Sequence, residues 1–205
     1  MIPAEQALER LRQGNRRFVG NLRAHDSAGE ARRNEVAAAQ RPFAIVLGCS
    51  DSRVPAEIVF DQGLGDLFVI RVAGNIVAPS QIGSVEFAAE QYGTRLVVVL
   101  GHSQCGAILA TIEEMTRPMG NRSKNLHSIV DRVRPSVEPL MATPVRDDPD
   151  ALVRSAVRAN VRRSAGHLRA GSEVLEHFIA RDGLLVVGAE YSLETGVVEF
   201  FDGVS

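Results

Sequence analysis

The sequence predicts an α/β fold: a single domain with a mostly parallel central sheet, an antiparallel C-terminal edge strand and an N-terminal helical arm. Three observations carry that expectation. Short, continuous apolar runs, several ended by glycine, recur along the chain and read as strands buried on both faces. Helical stretches separate them, which implies right-handed crossovers and parallel pairing. No repeat, low-complexity tract or linker divides the 205 residues, so residues 1–205 form one domain with a projecting arm.

The elements follow in order. Residues 3–18 place Ala4, Leu8, Leu11 and Phe18 among Glu, Gln and Arg, an amphipathic helix weakened near its end by Gly14 and Asn15. Helical potential returns at Glu30–Ala39, before Pro42–Gly48 gives the first strand. Leu67–Ile70 is the second strand. The helix Ser80–Tyr92 follows, with Val85, Ala88, Ala89 and Tyr92 on one face and Gly93 as its stop. Leu96–Leu100 is the third strand, ended by Gly101, and Ala107–Met115 is helical. The prolines of 117–149 predict short helices joined by loops. Residues 151–169 form a surface helix and Glu173–Ala180 another. Leu184–Ala189 is the fourth strand, and Val197–Phe201 pairs back on it across Glu194-Thr195-Gly196.

Composition excludes several roles. The net charge of −2 and the scattered arginines argue against a nucleic-acid or membrane-surface partner. No apolar run approaches the ~20 residues that span a bilayer. The N-terminus shows no signal peptide, so a cytoplasmic location is expected. In that setting the two cysteines, Cys49 and Cys105, are not expected to form a structural disulfide.

Ligands in open α/β sheets gather beyond the carboxyl ends of the strands. The first strand runs into Cys49-Ser50-Asp51-Ser52-Arg53 and the third into His102-Ser103-Gln104-Cys105. Cys49 and Asp51, two apart in extended chain, leave the same face. His102 and Cys105 straddle a strand-to-helix turn. If the two strands are neighbours, two thiolates, an imidazole and a carboxylate converge, a set suited to one tetrahedral zinc ion. The carboxylate is the ligand that water could replace. His25, His127, His167 and His177 lie in polar or helical surface stretches and receive no site. Gly101-x-x-x-x-Gly106 mimics a phosphate-binding loop, but Ala107-Ile108 stands where Lys and Ser or Thr are needed, so nucleotide binding is disfavoured.

Cys49-Ser50-Asp51-Ser52-Arg53-Val54-Pro55, Phe68–Asn75 and Gly101-His102-Ser103-Gln104-Cys105-Gly106 together resemble the β-class carbonic anhydrases. The resemblance covers roughly residues 40–110 by motif. It implies one Zn2+ per chain on Cys49, His102 and Cys105, with Asp51 either on the metal or paired with Arg53. It implies that Gln40 and the Gly106 amide donate hydrogen bonds to substrate, and that Phe68, Ala73 and Phe87 line an apolar pocket at a dimer interface. Residues 1–20 would then pack on a partner subunit of a homodimer or homotetramer. One departure is Val46, where relatives regulated by bicarbonate carry tryptophan; this chain has none. Another is Ala107, where many relatives have a second glycine; little effect is expected from it.

The implied reaction is the reversible hydration of carbon dioxide to bicarbonate and a proton by zinc-bound hydroxide. Asp51 would accept the hydroxide's hydrogen bond and Arg53 would hold Asp51 in place. The alternatives are hydrolysis of carbon disulfide or carbonyl sulfide at the same ligands, and a zinc protein without catalysis.

Overall fold

The computed structural model describes residues 2–22, 29–117 and 123–204. Helix α1 spans Ala4–Val19 and α2 spans Glu30–Val36. Strand β1 is Ala44–Gly48, followed by the short helix α3 at Ala56–Val59 and strand β2 at Leu67–Arg71. Then come α4 (Pro79–Gln91), β3 (Leu96–His102) and α5 (Gly106–Thr116). Helices α6 (Lys124–Met141), α7 (Pro149–Ala170) and α8 (Glu173–Arg181) precede β4 (Leu185–Tyr191) and β5 (Val198–Asp202).

The sheet order is β2-β1-β3-β4-β5. β1 runs parallel to both β2 and β3, β3 runs parallel to β4, and β5 returns antiparallel on β4. The expected fold class is therefore the observed one. Alternation along the strands divides the core between the two faces of the sheet. Val46, Val98, Leu100 and Ala189 face α1, against Leu8, Leu11 and Phe60. Ile45, Leu47, Val97 and Val99 face the other way, against Val85 and Ala88 of α4 and Val161, Ala165 and Leu168 of α7. A third apolar cluster caps the carboxyl end of the sheet, where Ile108, Val133, Val137, Ala156 and Val157 surround both cysteines.

One expectation changes in the structure. Residues 117–149 are not a set of short helices, because Lys124–Met141 is one helix with Pro135 and Pro139 inside it. Each proline removes one helical hydrogen bond. Yet Pro139 is exposed and Pro135 only half-buried, while Val130, Val133 and Val137 keep an apolar stripe buried. Tertiary packing of that stripe overrides local propensity. The N-terminal helix lays its apolar stripe on the chain's own sheet. Its two weak positions explain why. A Cβ at Gly14 would stand 1.8 Å from the Phe60 carbonyl oxygen, so glycine alone permits this approach. Buried Asn15 donates to the Val59 and Gly196 carbonyls and accepts from the Val198 amide. Any partner contact of α1 therefore uses its outward face.

Candidate metal centre

β1 and β3 are neighbours in register, with Gly48 beside Leu100, so the residues following them emerge side by side. Cys49 continues from β1. His102 closes β3, and Cys105 stands just before α5. The tight turn between them runs through Gln104 at φ 56°, which swings Cys105 back toward His102. All three side chains are buried, and their donor atoms lie within 4.8 Å of one another. The two sulfurs are 4.0 Å apart. Sulfurs each about 2.3 Å from one tetrahedral zinc would be separated by about 3.8 Å, so the observed spacing suits a shared ion.

His102 supplies a second test of fit. Its Nδ1 lies 2.8 Å from the Ser103 carbonyl oxygen, which only accepts, so Nδ1 carries the proton. In the neutral ring Nε2 is then left as a bare lone pair. It is buried and, among the described residues, has no partner in hydrogen-bonding geometry. A buried acceptor facing two sulfurs without a donor is costly unless a cation occupies the space between them.

Charge is shared unequally between the thiols. The Cys105 thiol donating to Cys49 is the main reason that Cys49 falls well below the ordinary thiol range, against the opposing effect of burial. Cys105 is pushed up by that same hydrogen bond, by burial and by the Cys49 charge. Burial pulls His102 down, but attraction to the Cys49 sulfur and the Ser103 carbonyl leaves it raised overall. The pocket thus favours one anion, and a dication would draw off the second thiol proton.

Asp51 stands beside this triad, not within it. Arg53 donates from Nε to Oδ1 at 2.9 Å and from Nη2 to Oδ2 at 2.7 Å, and its backbone amide adds 3.0 Å to Oδ1. The Arg53 side chain, foremost among these, holds the carboxyl far below the usual carboxylate range. Oδ2 still lies 3.9 Å from His102 Nε2, so the carboxylate overlooks the open side of the three donors.

Two positioning groups escaped the sequence reading. Arg71, at the end of β2, donates to the Cys49 carbonyl at 3.0 Å and the Asp51 carbonyl at 2.6 Å, and so fixes the 49–51 segment. The Gly74 amide donates to Cys49 Sγ at 3.3 Å. Both fall within Phe68–Asn75; the signal available was an arginine closing an apolar strand just ahead of a glycine.

The expected substrate residues divide into two groups. Gly106 opens α5 beside Cys105, and a Cβ there would meet nothing within 4 Å, so open space lies over that helix start. Ala73 lies in a short 3-10 turn, Ala73–Asn75, next to the Gly74 amide. Gln40, Phe68 and Phe87 lie elsewhere. Gln40 precedes β1, so the length of that strand, about 15 Å, separates it from Cys49. Its amide donates to the Tyr92 hydroxyl at 2.9 Å. Tyr92 in turn packs on Phe68 and Phe87, with ring centroids 6.0 and 5.8 Å away. Phe87 is 49% exposed. Within one chain this aromatic face does not close over the metal donors. A cavity of about 540 Å3 also opens past β3 and β4, but Ser103, Gln104, Arg154, Glu190 and Glu194 line it, and none of the triad does.

Comparison with known proteins agrees with this geometry. Residues 44–198 match the carbonic anhydrase family model. A carbonic anhydrase 2 of Mycobacterium tuberculosis is 40% identical over 193 residues, covering 93% of this chain and 89% of that protein. The chain belongs to the β-carbonic anhydrase family. A carbonic anhydrase of Mycolicibacterium smegmatis is 39% identical over 196 residues, covering 94% of this chain and 91% of its own. The crystal structure of the β-carbonic anhydrase CafA of Aspergillus fumigatus superposes with a TM-score of 0.73 at 26% identity, over 84% of this chain and 81% of that one. Family members are metalloenzymes, and the Cys49, His102 and Cys105 cluster is the position at which this chain offers a metal site.

Proposed function

We propose that this chain catalyses the reversible hydration of carbon dioxide to bicarbonate and a proton, on one zinc ion held by Cys49, His102 and Cys105. The observation that carries the reading is the bare His102 Nε2 facing two sulfurs 4.0 Å apart, with a paired carboxylate overlooking them. Zinc held there would lower the pKa of a bound water and so supply hydroxide near neutral pH.

The chain's own groups do the rest. Asp51, kept ionised by Arg53, accepts a hydrogen bond from the attacking oxygen and aims its lone pair at the substrate carbon. With both Asp51 oxygens engaged by Arg53, the carboxylate would not compete with water for a metal held by the three donors. The Gly106 amide, at the positive end of α5, stabilises the developing negative oxygen of bicarbonate. Ala73 lines the apolar side of the site.

Gln40, Phe68 and Phe87 act from a second copy of the chain, because the length of β1 keeps them from their own metal. The half-exposed Phe87 gives that second copy an apolar surface to cover. The assembly is thus a homodimer or a homotetramer built from such dimers. Its cytoplasmic placement goes with two cysteines that remain free. Among the described residues no helix is long and apolar enough to cross a membrane.

Stopped-flow carbon dioxide hydration with parallel zinc analysis tests the reading. The expected result is about one zinc per chain and turnover that disappears with the metal. Zinc-loaded protein that is silent on carbon dioxide but active on carbon disulfide or carbonyl sulfide would move it to those substrates. Silence on all three would leave a zinc protein without catalysis.

A further inference from the structure

The metal donors come from the segments after β1 and β3, yet α7 reaches them through an intermediary. We infer that Asn160 and Ser164 are positioning residues for the metal centre, holding the turn whose Gly74 amide is aimed at Cys49 Sγ. The inference rests on the proposal that Cys49 is a metal ligand.

Asn160 and Ser164 stand one helical turn apart on α7, so they share a face. Both are buried, 2% and 5% exposed, amid the valines and alanines that bury the same helix. Polar side chains in such surroundings are costly unless they are paired. Their partners are specific: Asn160 Nδ2 donates to the Gly74 carbonyl at 2.7 Å and Ser164 Oγ to the Asn75 carbonyl at 3.0 Å.

The turn needs external support. Gly74 and Asn75 have φ of 70° and 43°, the left-handed region, where asparagine pays a strain that glycine avoids. From above, Ala107 closes the space: a Cβ on Gly74 would lie 3.0 Å from that of Ala107 and 3.3 Å from Val133 Cγ2. Residue 74 is therefore clamped on three sides. Its carbonyl is held by α7, its Cα is pressed by α5 and α6, and its N–H is left pointing at Cys49 Sγ, 3.3 Å away. Ala107, expected to matter little, is one wall of that clamp. An amide directed at a buried thiolate disperses part of its charge and fixes its direction, as partners of metal ligands do.

The experiment measures zinc retention by the holoenzyme against a competing chelator, together with the thiolate-to-metal absorption band of cobalt-loaded protein. The variants are Asn160→Leu, Ser164→Ala and Ser164→Thr. Leu168→Ala, a core truncation lower on the same helix that touches neither carbonyl, is the stability control. Asn160→Leu should release zinc roughly tenfold or more faster and shift the cobalt band. Ser164→Ala should do so less, and Ser164→Thr, which keeps the hydroxyl, should restore wild-type behaviour. Leu168→Ala should lower Tm with little change in either readout. If Asn160→Leu does not fold, Ser164→Ala against Ser164→Thr decides alone. Ser164→Ala with wild-type zinc release and band would overturn the inference, as would Leu168→Ala matching it at equal Tm. Wild-type protein that takes up neither zinc nor cobalt would instead overturn the metal reading itself.

Discussion

The two ends of β1 are built to different standards of closure. At its carboxyl end Cys49 is buried, its carbonyl is held by Arg71 and its sulfur meets both Cys105 and the Gly74 amide. At its amino end Gln40 is exposed and donates to the Tyr92 hydroxyl, above an aromatic cluster whose Phe87 stands half in solvent. The same strand thus connects a set of metal donors that one chain supplies to a surface that one chain leaves open. The reason is topological. β1 lies between β2 and β3, so its carboxyl end has neighbours on both sides, while Gln40 lies before the first paired residue.

The largest effect belongs to the closed end. Cys49→Ser or Cys105→Ser should lose zinc and carbon dioxide turnover together, to the limit of detection by atomic absorption and stopped flow. A Cys105→Ser protein with full zinc and normal turnover would break the contrast at its stronger side.

Arg53→Ala comes next. Freed from its partner, Asp51, whose Oδ2 lies 3.9 Å from His102 Nε2, would be able to turn toward the three donors and compete for a metal held there. Turnover should fall on the order of 10- to 100-fold while zinc content stays unchanged. Full activity would remove Arg53 from the mechanism.

Gln40→Ala should cost about tenfold, the worth of one hydrogen bond to substrate, with zinc unaffected. Mixing sharpens the point. Dimers formed between Cys105→Ser and Gln40→Ala subunits regain one intact site if Gln40 serves its partner, and none if it serves its own chain. Mixed dimers without recovered activity would mean that Gln40 serves its own chain, and would overturn its action across the interface.

The smallest effect is one of pH and stability. Because Arg53 holds Asp51 below the usual carboxylate range, the pair stabilises the fold above the unfolded carboxylate pKa near 3.9. That contribution is lost as the pH falls through the lower folded value. The pair is solvent-facing, with Arg53 55% exposed, so it is worth under about 1 kcal/mol. Urea unfolding of metal-free wild type and Arg53→Ala should differ by that amount at pH 7 and converge below about pH 4. A gap that widens in acid would contradict the pairing.

The sheet and the metal donors were legible for one reason: both are local. Apolar runs define the strands, and strand-end residues carry the cysteines and His102, so adjacency of two strands suffices to bring the donors together. What escaped depends on distant chain. Pro135 and Pro139 read as helix breakers until Val133 and Val137 are seen packed in the apolar cluster around both cysteines. Gly14 and Asn15 read as helix weaknesses until the Phe60 carbonyl and the Val197 region are placed against them. Arg71 and Gly74 act on backbone atoms, which leave no pattern in side-chain spacing.

Asn15 carries a consequence for the order in which the molecule is made. It joins the first helix to the last hairpin, bonding Gly196 and Val198 across 181 and 183 residues. During synthesis α1 can meet the Val59 carbonyl early through Asn15, but Gly196 and Val198 only after about 180 further residues have followed. The seam between helix and hairpin therefore shuts late. Loss of the β4–β5 turn and β5 would be felt at α1, as a loosened helix.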